Sequence, residues 1–324
     1  MSTELIVSLL YFMLINISVT LLGYVLIKKQ QVALSWLLLI VSIAGIYLVM
    51  KDQHPIIKML GIIAITFTAM KVIAVTEGYK GKPLTLNFKQ WLVFAGGWAG
   101  MRAQPFETLG SPALPGAWKM IGYGISRVFS GAMLIALAHI IRSQWAPVGF
   151  VYALISVLLL IGFSLILHFG LLSISAGTYR LQGVNTYLLF RQPAMATSLT
   201  EFWSKRWNIA FSEMTSVAIF RPLKNKFGSA GALILAFAFS GLLHELALSV
   251  PVSAGYGLPM LYFLLHGGLV LTEKALTVRK IKLLQHPVVA RVWIFFWLAV
   301  PMPLLFHPAF IKGILWPLAG LAPF

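Results

Sequence analysis

A histidine followed by a glutamate lies near the end of a long apolar segment of this 324-residue chain. His244 comes 15 residues after Ser229, where the segment begins, which places it about 22 Å along a helix. Ionisable groups at such a depth in a membrane are costly and mark functional sites. A neutral imidazole there can accept a proton from a hydroxyl group, so His244 is a candidate general base. The competing interpretation is a histidine satisfied by a neighbouring helix.

Glu245 points away from His244 because a helix turns by about 100° per residue. We therefore expect Glu245 to be an orienting or structural partner, with an arginine as one candidate for the group it holds, and not a second base. A zinc metalloprotease would need a second histidine where Leu248 stands, so no metal site is expected.

The run 202–208 is aromatic and basic. Trp203 and Trp207 are four residues apart and share a helix face, whereas Arg206 lies on another face. This pattern is typical of an interfacial helix with an aromatic belt. Asn208 is less easily explained that way, since its amide can donate and accept, and could hold a hydroxyl group or a thioester carbonyl beside a base.

His266 and Glu273 are seven residues apart in one apolar segment and therefore lie on one helix face. A buried polar pair is favoured slightly over a direct role in catalysis. His139 and His168 stand alone in apolar segments and are interpreted as structural residues.

The composition requires a membrane protein: 59% of the residues are hydrophobic, 10% are charged, and the mean hydropathy is +0.89. The apolar runs are continuous, which favours helices over the alternating strands of a barrel. We predict an all-α polytopic fold with eight full crossings around an intramembrane tunnel. The predicted spans are 5–27, 32–50, 56–76, 121–141, 146–178, 229–250, 257–277 and 288–306, with short apolar pieces at 91–101 and 311–321 and a surface helix at 198–220.

The formal net charge of +17 is concentrated in the loops 28–31, 77–90, 102–120, 179–228 and 278–287. The positive-inside rule then places the N-terminus outside and the surface helix in the cytoplasm. In a membrane protein this excess indicates cytoplasmic loops, anionic lipid headgroups or a polyanionic cosubstrate, and we expect no nucleic-acid partner. The absence of cysteine excludes disulfides and thiolate metal sites.

These residues form an ordered set of motifs: Phe-Trp-Ser-Lys-Arg-Trp-Asn (202–208), Arg221-Pro222, Ser-Gly-Leu-Leu-His-Glu (240–245), and Phe-Leu-Leu-His-Gly (263–267) followed by Glu273. The set resembles the wax-synthase-like branch of the membrane-bound O-acyltransferases. Upstream, Trp98-Ala99-Gly100-Met101 with Phe106 is similar to that branch's tryptophan-glycine-methionine box, although Arg102 stands where an acidic residue is expected. The resemblance covers roughly 90–310, and the first three spans, within 1–90, contribute nothing to it. We predict one membrane domain, 1–324.

The resemblance implies that His244 is the catalytic histidine and Asn208 the second polar residue of the active site. Acyl-CoA would be a cosubstrate entering from the cytoplasm, a lipophilic alcohol would arrive from the bilayer, and no further cofactor is expected. The residues assigned to substrate binding are Trp203, Arg206, Trp207, Arg221, Glu245 and His266. The basic residues assigned to the CoA phosphates are Lys205, Arg206, Arg221, Lys224 and Lys226. The compact length and lack of cysteine favour a bacterial inner membrane, with the endoplasmic reticulum as the eukaryotic equivalent.

Two other function classes stay open at this stage. A proton-coupled transporter could use His244, Glu245, His266 and Glu273 as a relay, although it predicts inverted repeats that the sequence does not contain. A membrane terpene cyclase would need a second acid, for which Glu245 or Glu273 could serve. The acceptor alcohol is likewise open among a fatty alcohol, a sterol, a diacylglycerol and a specialised metabolite.

Overall fold

The computed structural model describes residues 3–281, 284 and 286–322, and within these ranges the chain folds into helices and loops without a strand. Ten helices position the site: α1 (Thr3–Lys28), α2 (Val32–Met50), α3 (Pro55–Gly78), the short α4 (Phe88–Gly97), α5 (Ala117–Gln144), α6 (Gly149–Leu181), the short α7 (199–206), α8 (Ile209–Ser249), α9 (Leu258–Val278) and α10 (Pro287–Leu305). Short helical turns at Gln104–Thr108, Pro193–Met195, Pro308–Phe310, Ile311–Leu315 and Trp316–Leu318 complete the described part.

Eight of these described helices are long and apolar enough to cross a membrane. The predicted all-α, multi-pass membrane fold is therefore confirmed. The predicted 33-residue span at 146–178 is found as α6, which has the same length and is shifted by three residues. A π-helical stretch, Leu165–Leu171, interrupts its α-helical hydrogen bonding. Of the basic loop 278–287, Lys282, Leu283 and Gln285 lie outside the described residues.

Helix α3 is the centre of the bundle. Within the described spans it is the most buried, with 72% of its apolar window covered by protein, whereas α1 has 11%. Packing of α1 and α2 on α3 leaves large apolar side chains of the two outer helices exposed, among them Leu14 and Leu48. Such exposure is stable only in lipid, since water would penalise that much apolar surface.

The helix α4 is too short to cross a membrane. Its ten residues extend about 15 Å, half the thickness of the hydrocarbon layer. Asn87 and Gln90 form a capping box at its start. At its other end, the Lys71 Nζ of α3 donates to the carbonyls of Phe94 (3.1 Å) and Ala95 (2.7 Å). The length of α4 confirms the prediction that 91–101 does not cross the membrane.

The sequence-based prediction of one surface helix at 198–220 is wrong. The helix is interrupted at Asn208, which has φ 44°, and a new helix begins at Ile209. That helix continues through Arg221, Lys224 and Lys226 up to Gly228, where φ 69° and ψ 172° reverse the chain direction. Glycine alone adopts this backbone region without strain.

Helix α8 is consequently a hairpin of two arms, 209–227 and 229–249. The ring of Phe211 in the first arm stacks on that of Phe239 in the second, with centroids 6.5 Å apart. Phe220 and Leu233 likewise line one cavity, so the arms run antiparallel along their length. The first arm buries Met214, Ala218 and Ile219 in the core around α3, which explains why it does not lie on the membrane surface.

Helix α7 is fixed to α9 by a buried carboxylate. Glu273 accepts the backbone N–H groups of Leu199 (2.7 Å) and Thr200 (3.0 Å), two donors that the first turn of α7 leaves without an intrahelical partner. It also accepts the Nε1–H of Trp293 at 3.2 Å. Glu273 therefore fixes the aromatic run 202–208 beside α9 and the second arm of the hairpin.

Candidate active site

A cavity of about 290 Å³ lies between the two arms of α8, α7 and α9. His244, Asn208, Trp203 and Trp207 all line it. On α9 the lining extends from Phe263, at the depth of His244, to Lys274 close to the predicted cytoplasmic end. These two residues are 11 positions apart, which corresponds to about 16 Å along a helix. The cavity is thus an elongated passage leading to His244.

The hydrogen bond of His244 determines which ring nitrogen is free. Its Nδ1 lies 2.7 Å from the carbonyl oxygen of Ser240, one helical turn earlier. A carbonyl oxygen can only accept, so Nδ1 carries the hydrogen and Nε2 holds the lone pair. The ring packs against Phe263 with centroids 4.3 Å apart, which restricts its orientation. His244 therefore presents an unprotonated nitrogen in a cavity that is mainly apolar.

Asn208 reaches the same cavity through an unusual backbone conformation. Its φ of 44° lies in the left-handed region, which asparagine tolerates better than most residues. Its Oδ1 accepts the N–H of Phe211 at 3.2 Å and so caps the first arm of the hairpin. The Nδ2 amide group has no such bond within the described part of the chain, and it remains a donor for a ligand in the cavity.

The two tryptophans of the aromatic run form one wall. Trp203 donates its Nε1–H to Nδ1 of His266 at 3.2 Å, and its ring meets that of Phe263 at 5.6 Å. Trp207 stacks on Phe202 with an interplanar angle of 12°. Both indoles are therefore held in place by groups behind the wall, with an aromatic surface towards the cavity.

Four residues assigned to substrate binding do not line this cavity. His266 is fully buried behind Trp203. Glu245 accepts the N–H of Met260 at 3.0 Å and so caps the start of α9, in place of the arginine considered above. Arg221 lines a separate cavity of about 610 Å³ next to Arg102. Their contact with a substrate stays a prediction.

The fourth of these residues, Arg206, is held by its neighbours. Its guanidinium pairs with Glu201 at 2.7 Å and donates to the carbonyl of Gln192 at 3.2 Å. On the other side of the carboxylate, the N–H of Thr197 donates to Glu201 at 2.8 Å. The pKa of Glu201 is therefore below its ordinary value. The Thr197 N–H is the main cause of this lowering, Arg206 adds to it, and burial opposes it.

Arg102, which departs from the family pattern, has a partner in the first arm of the hairpin. Its Nε lies 3.0 Å from Glu213, and the hydroxyl of Tyr187 donates to the other oxygen of the same carboxylate at 2.5 Å. Burial beside this carboxylate raises the pKa of Tyr187. Arg102 therefore connects the loop after α4 to the hairpin that carries Asn208.

Sequence reasoning missed Lys274 and the role of Ser240. Lys274 stands at the end of an apolar span, where a lysine is unremarkable, and only the cavity lining distinguishes it. The carbonyl of Ser240 lies four residues before His244, a spacing that could have been read as a tautomer-fixing contact.

Comparison with known proteins gives a family match and several similar proteins. Residues 187–265, which carry most of the motifs and much of the cavity, match the Membrane bound O-acyl transferase family. A long-chain-alcohol O-fatty-acyltransferase of Simmondsia chinensis is 35% identical over 71 residues, 19% of this chain and 20% of that protein. Probable long-chain-alcohol O-fatty-acyltransferases 1 and 9 of Arabidopsis thaliana are 32% and 31% identical over 126 and 138 residues.

The chain spans only part of each relative's length: 20% of the Simmondsia protein, 36% of the first Arabidopsis protein and 40% of the second. The resemblance to the wax-synthase-like branch of the membrane-bound O-acyltransferases is thereby confirmed. It is carried by the segment that forms α7, the hairpin α8 and the start of α9. The chain is an integral multi-pass membrane protein.

Proposed function

We propose that the protein transfers an acyl group from acyl-CoA to the hydroxyl group of a lipophilic alcohol, with a long-chain fatty alcohol as the first candidate acceptor. The observation that carries this proposal is the shared cavity of His244 and Asn208. The names of the relatives, long-chain-alcohol O-fatty-acyltransferases, support the same class of acceptor.

In the proposed mechanism Nε2 of His244 takes the proton of the acceptor hydroxyl while its oxygen attacks the thioester carbonyl. The hydrogen bond from Nδ1 to Ser240 keeps the lone pair on Nε2 and stabilises the imidazolium that forms. The C–S bond then breaks, CoA leaves as a thiolate, and this thiolate recovers the proton from His244. A thiolate is a good leaving group, so no separate general acid is needed.

The Nδ2 group of Asn208 would donate to the oxyanion of the tetrahedral intermediate. One such donor contributes about 10²–10³-fold to the rate of acyl transfer enzymes. General-base catalysis adds about 10²–10⁴-fold. The aromatic wall of Trp203 and Trp207 would exclude water, which would otherwise compete with the alcohol for the thioester.

The shape of the cavity supports entry of acyl-CoA from the cytoplasmic side. Its lining reaches Lys274 at the predicted cytoplasmic end of α9, where an ammonium group suits the phosphates of CoA. The pantetheine arm would extend inwards along the apolar hairpin arms and bring the thioester to His244. Of the basic residues assigned to CoA, Arg206 is already paired with Glu201, so Lys274 is the stronger candidate.

The transporter and terpene cyclase alternatives gain no support. Both assign Glu245 or Glu273 a role in proton transfer, yet Glu273 accepts two backbone N–H groups and Glu245 accepts one, each at the start of a helix. The three relatives named above, from Arabidopsis and Simmondsia, are plant proteins. They give no support to the preference for a bacterial inner membrane.

The test is to incubate the purified protein with acyl-CoA labelled in the acyl chain and a panel of alcohols: hexadecanol, cholesterol, diacylglycerol and water alone. We expect labelled ester and free CoA in equal amounts, with hexadecanol the best acceptor. Free CoA without ester, or no dependence on the alcohol, would contradict the proposal.

A further inference from the structure

A second cavity lies outside residues 187–265, the segment that matches the family. It has a volume of about 480 Å³ and is formed by α1, α3 and the short helix α4. Its polar lining consists of Asn16, Thr20, Thr68 and Lys71, and the rest is apolar. Lys71 is only 4% exposed, so a basic group is built into the wall.

Lys71 lies seven residues before the end of α3, which is about 10 Å along the helix. Two of its N–H groups go to the carbonyls of Phe94 and Ala95, and the ammonium lies 5.2 Å from the centre of the Phe94 ring. An ammonium has three N–H donors, so one remains. None of the ion pairs found in the described part of the chain involves Lys71.

The other polar groups bind mainly to each other. Thr68 donates to Oδ1 of Asn16 at 3.2 Å, Thr20 donates to the Asn16 carbonyl at 2.8 Å, and Asn16 gives one N–H to Phe12. The second N–H of Asn16 and the third N–H of Lys71 remain in the lining of the same cavity. The cavity thus offers two donors, one of them charged, and no acidic side chain among its lining residues.

The mouth of the cavity faces lipid. Ile17, Leu21 and Leu92 line it and are 51%, 47% and 40% exposed at the outer surface of the bundle. A ligand entering here must dissolve in the hydrocarbon layer and carry an acceptor head. A buried ammonium without a counter-charge is costly, and a carboxylate accepting both free donors would offset that cost.

We propose that this cavity binds the carboxylate of a single-chain lipid, a long-chain fatty acid, with Lys71 and Asn16 holding the head and the chain lying along α1. Because Lys71 also binds the carbonyl groups at the end of α4, a ligand in the site would stabilise α4. The proposal is independent of the acyltransferase activity, since no residue of this cavity lines the one that contains His244.

The experiment measures binding of radiolabelled palmitic acid to the purified full-length protein, with methyl palmitate and hexadecanol as competitors. Leu21→Trp fills the mouth, and Leu22→Trp is its matched control, since Leu22 is 55% exposed and does not line the cavity. Lys71→Gln removes the charge while keeping two N–H donors for the α4 carbonyls.

We expect Lys71→Gln to weaken binding at least about tenfold, the loss of one charge-assisted hydrogen bond. Leu21→Trp should weaken binding because the indole occupies the mouth, and Leu22→Trp should bind as wild type. Unlabelled palmitate should displace the label, and the methyl ester and the alcohol should not. Equal binding by the two tryptophan variants, or equal competition by the ester or the alcohol, would overturn the proposal. If Lys71→Gln fails to fold, the comparison of Leu21→Trp with Leu22→Trp still tests the proposal.

Discussion

Asn208 and His244 are 36 positions apart in the sequence, and the antiparallel arms of one helical hairpin bring them to the same cavity. Asn208 caps the first arm, and His244 lies near the end of the second. The turn at Gly228 lies about 24 Å from His244 along the second arm. The relative position of the two polar groups therefore depends on the hairpin and on the cap that begins it.

Replacing Asn208 by glycine separates its two roles. Glycine adopts φ 44° without strain and replaces an N-cap asparagine at a cost of only a few tenths of a kcal/mol. The proposed oxyanion donor is lost, so kcat should fall by about 10²-fold. Asn208→Ala should lose the same activity and additionally about 1–2 kcal/mol of stability. Ester formation rates and melting temperatures in detergent check both; a fully active glycine variant would exclude the donor role.

The hydrogen bond between Trp203 and His266 predicts that the two residues act as a unit. Trp203→Phe and His266→Phe should each raise KM for the alcohol and lower stability by about 1 kcal/mol. In the double variant the losses should not add, because both single changes remove the same bond. Trp145→Phe is the control, since Trp145 is 58% exposed. Fully additive effects would show that the bond is unimportant.

Gly228 closes the hairpin with a backbone conformation that a Cβ atom disfavours. Gly228→Ala should destabilise the protein by about 1–3 kcal/mol although no atom lies within 4 Å of the added carbon. Gly268→Ala is the matched control: its Cβ also meets open space, and Gly268 lies in the regular helix α9. There alanine should be neutral or stabilising. Equal melting temperatures for the two variants would contradict the strain at Gly228.

The lowered pKa of Glu201 predicts an acid-sensitive contact. A carboxyl group whose pKa is lower in the folded than in the unfolded protein stabilises the fold above the unfolded value of about 4.3. That stabilisation is lost as the pH falls through the folded pKa. The melting temperature of Glu201→Gln should therefore approach that of wild type as the pH is lowered below about 4.3. A constant difference between the two proteins from pH 7 to pH 3 would refute the contact.

The sequence was informative wherever one physical constraint dominated. The hydrocarbon thickness sets the length of a span, and for that reason α2 was predicted with its observed bounds, 32–50. The depth of His244 in an apolar run marked it as unusual without any structure. The short stretch 91–101 could not cross, and it was recognised as a partial element for the same reason of length.

Tertiary contacts were beyond such reasoning. The run 198–220 has the composition of a surface helix, and nothing local shows that Glu273, more than 70 residues later, caps its start or that its end packs on α3. Glu245 reads as a partner of a side chain, but it accepts a backbone N–H from Met260. The sequence around Lys71 does not indicate a partner for it, because only the position of α4 reveals what it binds.

The central claim is that His244 is the general base, and the most direct measurement is the rate of ester formation by His244→Ala with saturating acyl-CoA and hexadecanol. We predict a fall of at least about 10²-fold with an unchanged melting temperature and unchanged binding of acyl-CoA. His139→Ala is the matched control, a histidine in another span whose Nε2 lies 2.9 Å from the Ala319 carbonyl, and it should retain activity. Wild-type rates in His244→Ala would contradict the account.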